Sequence, residues 1–181
     1  METESISTHR PSRDELYQEA AAAHGAALER LARGYEADPD RRRDLLQEIH
    51  LALWQSFAGF DGRCSVRTWV YRVAHNVATS HVIRDHRLYS RLVGLDILET
   101  LPAGDDRESD VDHRNALEKL LKLIHQLKPL DRQVILSYLE GLDAASIAEV
   151  VGISPGNVAT KIHRIKDILA RGFREGGSHG K

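Results

Sequence analysis

The 181-residue chain has a single cysteine, Cys64. No intrachain disulfide is possible, and a lone thiol suits a reducing compartment. Beside Gly62 it invites a redox-sensor reading, but a lone thiol is more often inert. No apolar run approaches the roughly eighteen residues of a membrane span. The opening stretch "METESISTHRPSRDE" is polar and lacks an apolar centre, so a secretory leader is not expected and a cytoplasmic location is. No β-branched run alternates with period two, which argues against a sheet. A P-loop, a Gly-x-Ser-x-Gly elbow, a His-Glu-x-x-His pair and paired catalytic carboxylates are all missing, so neither enzymatic activity nor a cofactor is expected. Ten histidines suggest metal. His81 and His86, five apart, make a poor helical ligand pair, and no metal site is assigned.

The net charge of −2 hides an uneven distribution. Between residues 63 and 91 lie Arg63, Arg67, Arg72, Arg84, Arg87 and Arg91 against Asp85 alone. Between 154 and 174 lie Lys161, Arg164, Lys166, Arg171 and Arg174 against Asp167 alone. The intervening stretch 92–113 carries seven acids against Arg107. Two cationic segments flanking an anionic one are compatible with nucleic-acid binding despite the overall balance.

The patterning is helical almost throughout. A first helix is expected over about residues 14–36, broken by "EADPD", where Pro39 ends it and Asp38 or Asp40 can cap the next. The second helix places Leu45, Ile49, Ala52, Leu53 and Phe57 on one side. "AGFDGRC" then reads as a loop. Ser65 is an N-cap for a third helix, in which Val66, Val70, Val73 and Val77 recur at core spacing and Trp69, Arg72 and Asn76 form a separate stripe. Residues 91–113 read as an acidic tether, most simply solvated, although it could mimic nucleic acid; Leu95, Ile97, Leu98 and Leu101 within it could dock. Four further helical segments follow. The expected architecture is all-α: a tail at 1–12, a helical domain at 13–90, the linker at 91–113, a helix-turn-helix domain at 114–175 and a tail at 176–181.

"LDAASIAEVVGISPGNVATKIHRIKDIL" reads as helix, turn, helix. Asp143 caps the first helix, with Ile147, Ala148 and Val151 facing inward. Gly152 supplies the left-handed C-cap; Ser154 caps the second helix and Pro155 occupies its first turn. Val158, Ile162, Ile165 and Leu169 make a buried stripe. Asn157, Thr160, Lys161 and Arg164 remain on the opposite face, where they can meet base edges or phosphates in a major groove. The competing reading is an amphipathic hairpin with a solvated basic face.

A duplex-reading hairpin has no need of the upstream constellation. Trp69, Tyr71, Arg72 and Asn76 behind a Gly-Asp loop suit stacking on unpaired bases, with cations along the backbone. Here the sequence resembles a known family. "RDLLQEIHLALWQSFAGFDGRCSVRTWVYRVAHNVATSHVIRDHR" resembles the second conserved domain of bacterial sigma-70 factors of the extracytoplasmic-function (ECF) group, and "LEKLLKLIHQLKPLDRQVILSYLEGLDAASIAEVVGISPGNVATKIHRIKDIL" resembles their fourth.

The resemblance implies a promoter-recognition subunit that binds core RNA polymerase, at the largest-subunit clamp coiled coil and the flap, and helps melt the −10 element of promoter DNA. It implies a clamp-binding set of Asp44, Leu45, Gln47, Glu48, Leu51 and Trp54. It implies a melting and −10 set of Phe60, Asp61, Gly62, Arg63, Arg67, Trp69, Tyr71, Arg72, Asn76, Arg84 and Arg87, with His81 and Asp85 in the same segment. It implies a −35 set of Ser154, Asn157, Thr160, Lys161, His163 and Arg164. An anti-sigma partner is usual for the family. Four positions depart from its pattern. Ala159 stands where a cation is common, Val66 replaces an aromatic, and His75 and His81 stand where Arg and Asp are common. A stand-alone helix-turn-helix regulator is the alternative.

Overall fold

A computed structural model describes residues 11–93 and 112–175; the ends of the expected tether, 91–93 and 112–113, are corrected to helix, while its middle and its four apolar residues lie outside the described residues. The order is α1 (Arg13–Arg33), α2 (Pro39–Ser56), a 3-10 turn (Phe57–Gly59), α3 (Val66–Val93), α4 (Asp112–His125), α5 (Pro129–Leu139), α6 (Ala144–Val151) and α7 (Pro155–Glu175). No strand occurs among the described residues.

The helix boundaries follow local chemistry. Ser12 and Glu15 form a reciprocal capping box that starts α1. Asp38, not Asp40, caps α2, with Pro39 in its first turn. The Ser65 hydroxyl accepts from the Thr68 amide at the head of α3. Asp143 accepts from the Ser146 amide to open α6, which closes on Gly152 at φ 76°, a left-handed conformation that only glycine adopts at little cost. The Ser154 hydroxyl accepts from the Asn157 amide to open α7.

α1, α2 and α3 pack together around Leu28, Leu31, Leu45, Ile49, Leu53 and Val70. α4 to α7 pack around Ile124, Ile135, Ile147, Val158 and Ile165. The expected valine face of α3 is corrected. Val70 is fully buried, but Val66, Val73 and Val77 are half-buried; the deepest residues are Val70, Tyr71, Ala74, His75 and Ala78. The reason is that α3 is clasped from two sides, by α1 and α2 on one and by α6 and α5 on the other. Two adjacent stripes are therefore covered, and the burial centre moves off the valine spacing.

The two bodies meet along that second side. Leu136 of α5 sits so close to Gly34 that a β-carbon there would lie 2.5 Å from its Cδ2. Arg30 grips Glu140 through two 2.7 Å hydrogen bonds. Gln133 donates to the Thr79 hydroxyl at 2.8 Å, and the His125 ring meets the Arg33 carbonyl at 2.9 Å.

Candidate nucleic-acid interface

The loop after α2 and the first turns of α3 build an aromatic and cationic corner. Phe57, Phe60 and Trp69 stack edge to face, with centroids 5.9 and 5.4 Å apart. The Trp69 indole N–H donates to the Ser56 hydroxyl at 2.9 Å. Gly62, at φ 77°, turns the loop so that Asp61 accepts from both the Arg63 amide and its guanidinium. The Arg63 amide, followed by its side chain, holds the Asp61 carboxyl below the ordinary carboxylate range. An open cavity of about 400 Å³ lies against Asp61, Arg63, half-buried Cys64, Trp69 and Arg72, with Glu149 of α6 on its far wall.

Farther along α3 the expected contacts divide. Asn76 and Arg87 are exposed. Arg84 is bonded to Glu48 and to the His81 ring. Arg67 donates to the Glu140 carbonyl and lies 5.9 Å over the Tyr71 ring, while Arg72 donates to the Glu149 carbonyl. Tyr71 is a correction: at 2% exposure it cannot stack on a base in this arrangement. Its hydroxyl bonds Glu140, and burial foremost pushes its ionisation up to about 12.

The expected clamp-binding set divides in the same way. Asp44, Gln47 and Leu51 are exposed, Leu51 by 56%. Half-buried Trp54 donates to Asp14 at 2.8 Å beneath the Arg13 guanidinium. Leu45 is corrected to core: it is wholly buried, because it lies on the α2 stripe that faces α1 and α3.

On α7, Asn157, Thr160, His163 and Arg164 are exposed along one face, with Lys161 half-buried at its edge and Ser154 at its head. The Thr160 hydroxyl is turned back onto the Gly156 carbonyl at 3.0 Å. Lys161 and Arg164 each donate to Asp131, both at 2.7 Å. Asp131 carries a buried carboxylate at the start of α5 and was not anticipated, because helical periodicity does not relate residues thirty apart. Glu140 and Glu149, which hold the α3 arginines, were missed for the same reason. One signal was present: an acid placed just after the "KP" that opens α5 is a helix-start residue whose charge is free to serve a neighbour.

Among the described residues one group brings three potential ligand atoms together: Glu36, His81 and Asp85, within 4.8 Å of one another. The Arg41 guanidinium already pairs with both carboxylates, and Arg84 donates to the other ring nitrogen of His81. An ion-pair network accounts for the cluster.

Comparison with known proteins agrees with both halves. Residues 20–88 match the model of sigma-70 region 2, and residues 117–169 match that of sigma-70 region 4. The ECF RNA polymerase sigma factor SigL of Mycobacterium tuberculosis (strain H37Rv) is 33% identical over 154 residues, spanning 82% of this chain and 81% of that protein. The ECF RNA polymerase sigma factor SigX of Bacillus subtilis is 26% identical over 138 residues, spanning 74% and 71%. Among solved structures, the sigma factor RpoE of Bartonella quintana, crystallised with the anti-sigma factor NepR, superposes with TM-score 0.69 over 90% of this chain and 98% of that one, at 18% identity. CnrH, solved with the cytosolic domain of CnrY, superposes at TM-score 0.61 over 86% and 85%, at 22% identity. With both regions matched in order and a relative of this identity aligned over most of its length, the chain belongs to the sigma-70 family, in its ECF group.

Proposed function

We infer that this sigma factor binds core RNA polymerase, directs it to promoters through −10 and −35 elements and promotes melting of the −10 strand. One observation carries the reading. The chain combines a capped helix-turn-helix, with Asn157, Thr160, His163 and Arg164 on an open face, with a separate aromatic and cationic corner at residues 60–76. The first suits paired strands and the second suits a base taken out of the stack. Its domains are those drawn from the sequence, region 2 over 13–90 and region 4 over 114–175. In region 2, Asp44, Gln47 and Leu51 face the clamp coiled coil, with Glu48 and Trp54 at their margin. The cavity beside Asp61, Arg63 and Trp69 receives a flipped base. In region 4, the open face of α7 reads −35 DNA while the flap engages the same domain. The protein works in the cytoplasm, acts by binding without catalysing a reaction, and is held by an anti-sigma protein.

Core polymerase alone and core polymerase with this protein are to be compared on a library of upstream sequences. Transcripts from templates sharing two spaced elements support the reading; no template-selective transcript with the protein present sinks it. Tight sequence-specific duplex binding without polymerase would instead favour a stand-alone regulator.

Asn76→Ala is expected to lower open-complex formation about fivefold to tenfold, the value of about one lost hydrogen bond, with closed-complex binding nearly unchanged. Permanganate reactivity of −10 thymines measures it; normal melting removes Asn76 from the role.

A further inference from the structure

The structure gives His75 of α3 an unusual position. Its ring is 1% exposed and lies where α3 meets α5. Nδ1 is bonded to the Tyr35 hydroxyl at 2.9 Å within the N-terminal body. Nε2 is bonded to the Ser137 hydroxyl at 2.8 Å, from the C-terminal body. A neutral imidazole satisfies this geometry with one donor and one acceptor, because each hydroxyl can play either part.

A charged imidazolium could still donate to both hydroxyls, but the surroundings offer it no carboxylate to offset the loss of water. From α5, Arg132 lies over the Tyr35 ring at 5.6 Å, and it is itself a cation. From α3, Tyr71 lies beside His75 with Arg67 over its far side, and Arg72 is turned toward α6. Glu140 bonds Arg30 and Tyr71 and not the imidazole. From α1, His24 packs on Tyr71. On α2, Glu48 and His50 pair with Arg84 and Tyr17. Glu149 of α6 engages Arg72 only through its carbonyl, and His125 of α4 meets the Arg33 carbonyl.

We propose that His75 makes the docking of region 4 onto region 2 acid-labile, so that charging this one imidazole separates the two bodies, frees Arg67 and Arg72 from the Glu140 and Glu149 carbonyls and uncovers Tyr71. That these three then meet DNA rests on the function inferred above; the undocking does not. Burial pushes the His75 ionisation down to about 3 while the bodies are docked, and exposure to water returns it to the ordinary histidine value near 6.5. The sign follows. A depressed docked value means that docking is fully favoured above the open-state value and is weakened as pH falls below it, by about tenfold per unit. His125, lowered chiefly by burial and bonded across the interface to the Arg33 carbonyl, acts in the same direction.

The test is single-molecule energy transfer on the full chain. Dyes are placed at exposed Ala23→Cys on α1 and Ala170→Cys on α7, in a Cys64→Ser background. The ratio of separated to docked molecules is expected to rise about tenfold between about pH 7.5 and pH 5.5 with helicity unchanged. His75→Gln, which keeps a donor and an acceptor but cannot charge, is expected to hold that rise below about threefold, the remainder being due to His125. Equal responses in the two proteins overturn the proposal, as does an unresponsive parent. Should the variant fail to fold, ring NMR of the parent decides. A His75 signal that titrates near 6.5 at constant transfer efficiency shows charging without undocking and overturns it; one that charges only in step with separation supports it. Separation without any gain in binding to forked promoter DNA leaves the latch standing and counts against the role of the uncovered surface.

Discussion

Ile165→Ala is expected to cost about 2–5 kcal/mol of stability in the C-terminal body, and with it most duplex binding. Ile165 is fully buried on α7, and α7 packs on α4, α5 and α6 alike. Truncating it removes three carbons from a core that all four helices share. The body spans only residues 112–175 as described. Domains of that size hold about 5–10 kcal/mol in total, so the loss is a large fraction. The recognition face would fail because its scaffold melts, without losing any contacting atom. His163→Ala on the same helix is the control: its side chain is 86% exposed, and its effect on stability should stay within about 0.5 kcal/mol. Urea unfolding followed by helicity, with duplex binding recorded in parallel, separates the two. An Ile165→Ala midpoint equal to that of the parent would mean that the α7 stripe is not the core.

That stripe was legible in the sequence, and so were the helix boundaries, because both are written in residues at most four apart. Asp38 with Pro39, Ser65, Asp143, Gly152 and Ser154 with Pro155 each act on the nearest turn of their own helix. The apolar spacing of α7 likewise held, with Val158, Ile165 and Leu169 buried and Ile162 half-buried. α3 was misread for a physical reason. A periodic pattern locates one buried face, and α3 has two, the second covered by helices more than fifty residues downstream. Tyr71 and His75 lie on that second face, and nothing local distinguishes them from Asn76, which stays in water.

The cations show the same limit. Counting charges along the chain found both basic segments, but a guanidinium finds its partner in space. Arg30 and Arg67 converge on Glu140 from 110 and 73 residues away, and Arg72 on the Glu149 carbonyl from 77. A basic run read as free for phosphate is therefore partly engaged, and the state of the interface decides how much of it is available. Sequence located the cationic side chains; the fold determines which of them are already paired.

The ion pairs of Asp131 turn that distinction into a measurement, because Asp131→Asn and Arg164→Ala should move DNA affinity in opposite directions. In the folded protein Lys161 and Arg164 both donate to Asp131 at 2.7 Å, so each shares its charge with a carboxylate that competes with a phosphate or a base. Neutralising residue 131 releases them. Affinity for nonspecific duplex should rise, and the slope of log affinity against log salt should steepen by about one to two, since each additional phosphate neutralised contributes about 0.9. Stability should fall by about 1–3 kcal/mol. The carboxylate is 8% exposed and also favours the N-terminal end of α5, but Arg164 at 58% and Lys161 at 25% can rehydrate, which keeps the cost below that of a fully buried pair. Arg164→Ala, by contrast, should lose about 1–3 kcal/mol of discrimination among −35 variants and flatten the salt slope. Both substitutions remove an ion pair at Asp131 and are expected to lower stability, so simple misfolding would weaken binding in each. Tighter binding by the less stable Asp131→Asn protein, together with a steeper salt slope, is expected of a carboxylate that competes with DNA for these two cations; identical salt slopes in Asp131→Asn and the parent would remove the competition.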